Sequence, residues 1–192
     1  MFSALFFMAA IVHGQQQRNW LVEEASNITI YGTSNVADFA CAIASKTEKD
    51  TLDMSFERSS EKLVFQKAEL RIDAASFDCQ NRLITQDFRN TLQVDKYPEI
   101  ILHFISLDTP TESNLKNHKL DGEVKITIVG VSKSYEIRFE VERKNEKAFY
   151  LAGKKKVRFK DFGLKPPQKL AGLVKVEDEL EIDFTLLLSS LN

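Results

Sequence analysis

The sequence predicts an all-β domain, an extended antiparallel barrel of about eight strands with one short amphipathic helix over about 80–92. Three observations point there. Apolar and polar residues alternate with period two along most of the chain, as where Leu70 and Ile72 are set against Glu69, Arg71 and Asp73, which is the signature of strands with one wet face. A single stretch departs from that period: Ile84, Phe88 and Leu92 recur every four residues, with Arg82, Gln86, Asp87 and Arg89 on the other faces, as on an amphipathic helix. Finally, strands do not alternate with helices, which leaves a sandwich or an antiparallel barrel. Several runs reach ten residues or more, at about 3.3 Å each, and strands so long close more readily as a tilted barrel. A barrel of about eight strands is either just filled by its own side chains or holds one small ligand.

In chain order, Phe2 to Val12 is an apolar run broken only by Ser3, followed by His13-Gly14 and three Gln. It predicts a signal peptide over 1–14, cut after Gly14, because a run of roughly a dozen residues is too short to span a bilayer. No Cys follows closely, so no lipid-anchor site is expected. One domain is expected over 20–188, since no repeat or linker divides the chain. Trp20–Glu24 and Ser26–Tyr31 read as extended, and Gly32-Thr33-Ser34-Asn35 as a turn. Phe39, Cys41 and Ile43 alternate, as do Leu52, Met54 and Phe56 after the polar turn Ser45–Asp50. Val64, Ala68, Leu70 and Ile72 read as one strand parity. Asp78 is the expected helix cap, and Tyr97-Pro98 stops the helix ahead of the Ile100–Phe104 strand. After the loop Thr109–Asn114, Leu120–Ile128 makes a strand, Gly130–Lys133 its turn, and Tyr135–Val141 the return. Phe149–Phe159, the Pro166-Pro167 loop and Val174–Leu186 complete the series.

Fourteen Phe against one Trp, with 28% charged residues and a net charge of −2, predict a large apolar interior and no nucleic-acid partner. The candidates for walling an apolar cavity are Phe56, Leu70, Ile72, Phe88, Phe104, Ile126, Ile137, Phe139, Leu151 and Phe184; parity alone does not separate lining from filled core. Lys155 shares the parity of Leu151 and Val157 and is a candidate interior polar group facing a ligand head. Lys154, Lys156, Arg158 and Lys160 could form a phosphate-binding stripe. Glu177, Glu179, Glu181 and Asp183 offer an opposite stripe, and a solvated cross-strand charge ladder is the simpler reading. Cys41 and Cys79 either form a bridge, as an oxidising compartment would permit, or Cys41 serves as a small apolar residue. Asn27-Ile28-Thr29 is a glycosylation sequon.

The templates of catalysis are missing: the chain has no Gly-rich phosphate loop, His-Glu-x-x-His, Cys-x-x-Cys or Gly-x-Ser-x-Gly. Only His103 and His118 remain beyond the leader, too few for a His-rich metal site. No enzyme activity and no cofactor are expected; only a convergence of Asp87, Lys155 or His103 in one pocket would revive an enzyme.

Taken in order, Ser26–Ile30, Asp87-Phe88-Arg89, Tyr97-Pro98-Glu99-Ile100, Leu120–Lys133 and Lys160-Asp161-Phe162-Gly163-Leu164 resemble the YceI-like family of secreted lipid-binding domains. The Gly32-Thr33-Ser34-Asn35 form is similar to a Bacteroidetes-type branch. The resemblance implies a lipocalin-like barrel that holds a polyisoprenoid or isoprenoid quinone, in the periplasm or secreted, without chemistry and without an integral membrane span. Two departures stand out. Phe159 occupies the position of the family's usual Arg, two places before the Asp of Asp161-Phe162-Gly163, and Thr33–Phe39 lacks the usual His and Gly. The expected function is therefore an exported carrier of a long-chain apolar lipid. The alternative is a structural or partner-binding barrel with a filled core; a homodimer is left open.

Overall fold

A computed structural model describes residues 16–23, 26–43, 50–59, 61–109, 111 and 119–190. The expected leader, the turn at 45–49, most of the 109–114 loop and His118 lie outside the described residues.

The strands are β1 (Gln16–Val22), β2 (Asn27–Ser34), β3 (Asp38–Ile43), β4 (Asp50–Arg58), β5 (Lys62–Lys67), β6 (Glu69–Asp73) and β7 (Phe77–Asp78). After the helix α1 (Arg82–Thr91) come β8 (Glu99–Asp108), β9 (Lys119–Ile128), β10 (Val131–Arg143), β11 (Ala148–Arg158), β12 (Gln168–Lys169) and β13 (Val174–Ser190). All pairings are antiparallel. The hydrogen-bonded path β1-β4-β5-β8-β9-β10-β11-β13 returns to β1, so eight strands close one end of the barrel. At the other end β13, seventeen residues long, leaves β1 and pairs with β2, which carries β3 and the short β7. There β6 replaces β5 against the first half of β8. A 3-10 turn at Ala74–Ser76 joins β6 to β7, so this end is closed through the chain itself.

The exchange of partners on β8 divides what reads in sequence as one strand. Its register shifts between Phe104 and Ser106, and the Phe104 N–H donates to the Ala68 carbonyl at 2.9 Å in the gap between β5 and β6. Val64 therefore lies exposed instead of sharing a buried face with Leu70 and Ile72. Two turns also fall elsewhere than expected. Strand β2 continues through Ser34, and the turn is Asn35–Ala37, where the Ser34 hydroxyl accepts from the Val36 and Ala37 N–H groups. The β9–β10 connection is the pair Val129-Gly130, both at positive φ (47° and 76°). This type I′ geometry matches the twist of the strands it joins.

The helix cap is Asn81, whose side chain accepts from the N–H groups of Leu83 and Ile84 at 2.9 and 3.2 Å. Asp78 stands one turn too early; its carboxylate accepts from the Gln80 N–H and the Thr85 hydroxyl. A disulfide joins Cys41 on β3 to Cys79 just ahead of α1. Phe88 stacks at a tilt on Phe77, centroids 5.5 Å apart, and seats the helix over this end of the barrel.

The charged stripes form part of the expected ladder, with Lys160 turning instead to Asp178, outside the expected acidic stripe. Lys154 pairs with Asp183 and Lys156 with Glu179, each at 2.7 Å, and Lys160 meets Asp178 at 3.2 Å. Solvent-exposed pairs of this kind contribute little each and serve chiefly to keep the outer face wet.

Candidate functional site: an apolar cavity beneath the helix

Aromatic rings meet across the middle of the interior. Phe139, fully buried, sits between Phe104 and Phe184 with centroids 6.3 and 5.9 Å away. The space for these rings is left by two glycines. A Cβ on Gly122 would come within 2.9 Å of the Phe139 ring, and one on Gly153 within 2.6 Å of the Phe184 ring. Leu70, Ile72, Ile126, Ile137 and Leu151 are buried in the same cluster, and Phe56 meets Phe65 edge-on at 6.0 Å.

Above this plug, at the helix end, lies a cavity of about 210 Å³. Ile84 and Phe88 of α1 and Leu92, its C-cap, form the roof, and Ile30, Ile128, Val157 and Ile182 line it from the barrel wall. Val36, Phe39, Phe159, Pro167, Val174 and Val176 complete the lining, and Val36 lies beside the start of β13, where the Asn35 N–H donates to the Lys175 carbonyl. Polar groups are few: Ser34, Asp38, Asp87, Thr91 and Lys169. Asp87 on α1 and Lys169 on β12 meet at 2.6 Å, so an ion pair ties the helix to the strap that follows the prolines.

Of the eleven residues proposed from sequence, the structure brings Phe88 to this cavity. The other nine apolar candidates pack elsewhere in the interior. Lys155 is inward by parity yet lies outside the lining: its ammonium donates to the Glu136 carbonyl at 2.9 Å and rests 5.3 Å above the Tyr135 ring. The Tyr135 hydroxyl in turn donates to Asp161 at 3.2 Å, and the same carboxylate accepts from the Arg158 N–H. Burial first, then the neighbouring Asp161 charge, pushes the Tyr135 phenol up to about 12. Asp161 therefore holds the turn before the proline loop, and Phe162 anchors it in the core. This places Phe159 in the cavity wall.

The lining that parity did not single out had a different signal. Phe159 and the segment 33–39, the two places where the chain departs from the pattern it resembles, both come to the cavity. Asp87, Lys155 and His103 do not converge. Asp87 stands at the rim, Lys155 on Tyr135, and His103 Nδ1 lies 3.9 Å from Glu69 on the outer face of β8. Among the described residues no three metal-ligating side chains gather, and no helix is long and apolar enough to cross a membrane. What such a site can do is sequester an apolar group from water.

Comparison with known proteins agrees with this architecture. A family model described as a YceI-like domain matches residues 22–188. Among solved structures the fold resembles BcnA of Burkholderia cenocepacia, at 17% identity and TM-score 0.62, covering 86% of this chain and 98% of that one. It also resembles a polyisoprenoid-binding domain of Saccharophagus degradans implicated in plant cell wall breakdown, at 11% identity and TM-score 0.60, covering 91% and 99%. A Campylobacter jejuni YceI protein matches at 18% identity and TM-score 0.51, covering 67% and 74%. No curated protein sequence matches the chain.

Proposed function

Because the chain belongs to the YceI-like domain family, we propose that it is a non-enzymatic binding protein for a long-chain apolar lipid of the polyisoprenoid or isoprenoid quinone class. It acts after export, in the periplasm or outside the cell, once a leader ending at Gly14 is removed. The observation that carries this reading is the cavity of about 210 Å³, apolar on nearly every side with one ion pair at its rim. The polyisoprenoid-binding domain among the fold relatives supports the ligand class.

The dimensions refine the mode of binding. A dry cavity of about 150 Å³ takes up one benzene, so this cavity accommodates on the order of one or two isoprene units. Each buried methylene stabilises by about 0.8 kcal/mol, or roughly 3 to 4 kcal/mol per five-carbon unit. Association costs about 4 to 15 kcal/mol, so one or two units bind weakly on their own. A tight ligand must bury more: either its chain continues out between α1 and the strap, or it displaces the Phe104–Phe139–Phe184 plug. In the first mode Phe88 is the contact, with Phe39 and Phe159. In the second, Ile126, Ile137, Phe139, Leu151 and Phe184 are reached as well, then Phe56, Leu70 and Ile72.

The plug itself favours a second reading, a barrel with a filled core that serves structure or a partner. Uptake of an isoprenoid chain separates the two. Purified protein is titrated with a fluorescent farnesyl probe, and organic extracts are examined by mass spectrometry for co-purified lipid. Saturable uptake, weakened about tenfold or more by Val157→Phe, which puts a ring into the cavity, supports carriage. No uptake by the unaltered protein, with no lipid in the extract, overturns it in favour of the filled barrel.

A further inference from the structure

The rim of the cavity exposes side chains that a water-facing surface has no use for. Leu170 and Leu173, on the strap between Pro167 and β13, are 71% and 74% exposed, and Val36 on the neighbouring turn is 66% exposed. They are presented together. The Asn35 side chain donates to the Leu173 carbonyl at 2.9 Å and accepts from the Lys175 N–H at 2.8 Å, while the Asn35 N–H donates to the Lys175 carbonyl. The turn and the strap are thus stapled side by side. The strap's backbone is held in an uncommon form: Leu170, Ala171 and Gly172 all have positive φ (52°, 54° and 88°), a region that L-residues other than Gly seldom enter. This run of left-handed residues leaves the two leucines pointing away from the core.

Charge says what covers them. The chain carries a net charge of −2, yet Phe162 to Val176 contains Lys165, Lys169 and Lys175 and no Asp or Glu. Of the acidic side chains on the adjoining elements, Asp87 is paired with Lys169, Asp178 with Lys160, Glu179 with Lys156 and Asp183 with Lys154, and Asp161 accepts from the Tyr135 hydroxyl and the Arg158 N–H; Asp38, Glu177 and Glu181 remain. Exposed large apolar side chains flanked by lysines suit the boundary of an anionic bilayer, where apolar groups enter below the headgroups and ammonium groups meet phosphates. Val36 also lines the cavity, so one surface is continuous with the apolar hollow.

We infer that Val36, Leu170 and Leu173, with Lys165 and Lys175, form a docking surface for an anionic lipid bilayer, which sets the cavity mouth against the membrane. The surface acts whether or not the cavity is filled. Its failure is therefore distinguishable from failure of the cavity reading: a protein that takes up the farnesyl probe but ignores vesicles refutes the docking alone.

The test is co-sedimentation of the protein with vesicles of phosphatidylcholine alone and of phosphatidylcholine with phosphatidylglycerol, at low and high salt. The unaltered protein is expected to sediment with the phosphatidylglycerol vesicles and to be released by salt. The double variant Leu170→Ser/Leu173→Ser is expected to bind about tenfold or more weakly. Lys165→Glu/Lys175→Glu should remove the preference for anionic lipid. All four residues are exposed, so these variants should keep the circular dichroism of the parent. Val64→Ser, at an exposed position on β5 in the other half of the barrel, should change nothing. Absence of sedimentation, indifference to lipid charge, or equal binding by Leu170→Ser/Leu173→Ser each overturns the inference; in the last case a protein partner would become the better occupant.

Discussion

The bridge between Cys41 and Cys79 is the single covalent tie across the helix end of the barrel, and removing it is the sharpest test of how that end is held. It closes a loop of 38 residues. In the chain-entropy account a loop of that length contributes about 4 kcal/mol by restricting the unfolded chain. For a chain of this size each kcal/mol moves the melting temperature by roughly 2 to 4 °C, so Cys41→Ala/Cys79→Ala should melt about 8 to 16 °C below the parent. Both sulfurs are buried, so alanine leaves little new polar exposure. Calorimetry of the variant, and of the parent with and without a reductant, measures the shift. The cavity supplies a second readout: Cys79 anchors the start of α1, whose Ile84 and Phe88 roof the hollow, so affinity for the farnesyl probe should fall with the bridge. A drop under about 3 °C in both the variant and the reduced parent would refute the reasoning. It would mean that the Phe77–Phe88 contact and the Asn81 cap hold the helix base by themselves.

Other outcomes are expected. Gly122→Ala should be severely destabilising by denaturant titration, because its Cβ would stand 2.6 Å from the Ser106 carbonyl oxygen and 2.9 Å from the Phe139 ring, and a backbone atom cannot step aside. Phe139→Ala should cost about 3 to 5 kcal/mol in the same assay. If the plug is displaceable by a long chain, the same variant should also bind long isoprenoids better than short ones; unchanged chain-length preference counts against that mode. The Tyr135 phenol is raised from 10 to about 12, so its contribution to stability is complete below pH 10 and disappears as pH climbs from 10 towards 12. An ultraviolet titration should show a phenolate step near pH 12 that Tyr135→Phe abolishes, and persistence of that step in the variant would break the assignment.

Periodicity carried most of the fold because it is a local property. Strands such as β8 and β9 show period-two burial for the same reason that their sequences alternate, and the Ile84, Phe88, Leu92 spacing marks the one α-helix among the described residues. Where several residues competed for one job, local pattern was insufficient. Asp78 and Asn81 both suit a helix start, and only the path of the chain out of β7 puts Asn81 at the first turn. Val64 carries the parity of Leu70, and only the exchange of β5 for β6 along β8 sends it to the surface.

By itself the sequence determined an all-β chain with a benzyl-rich interior, one amphipathic helix and a family pattern spread along its length. Whether that interior is full or hollow depends on how side chains from eight strands meet, a sum of volumes that no single strand contains. Gly122 and Gly153 admit the rings of Phe139 and Phe184 to the middle, whereas Phe39, Phe88 and Phe159 line a cavity beneath α1. Tertiary structure alone put the chain's two departures from its family at that opening.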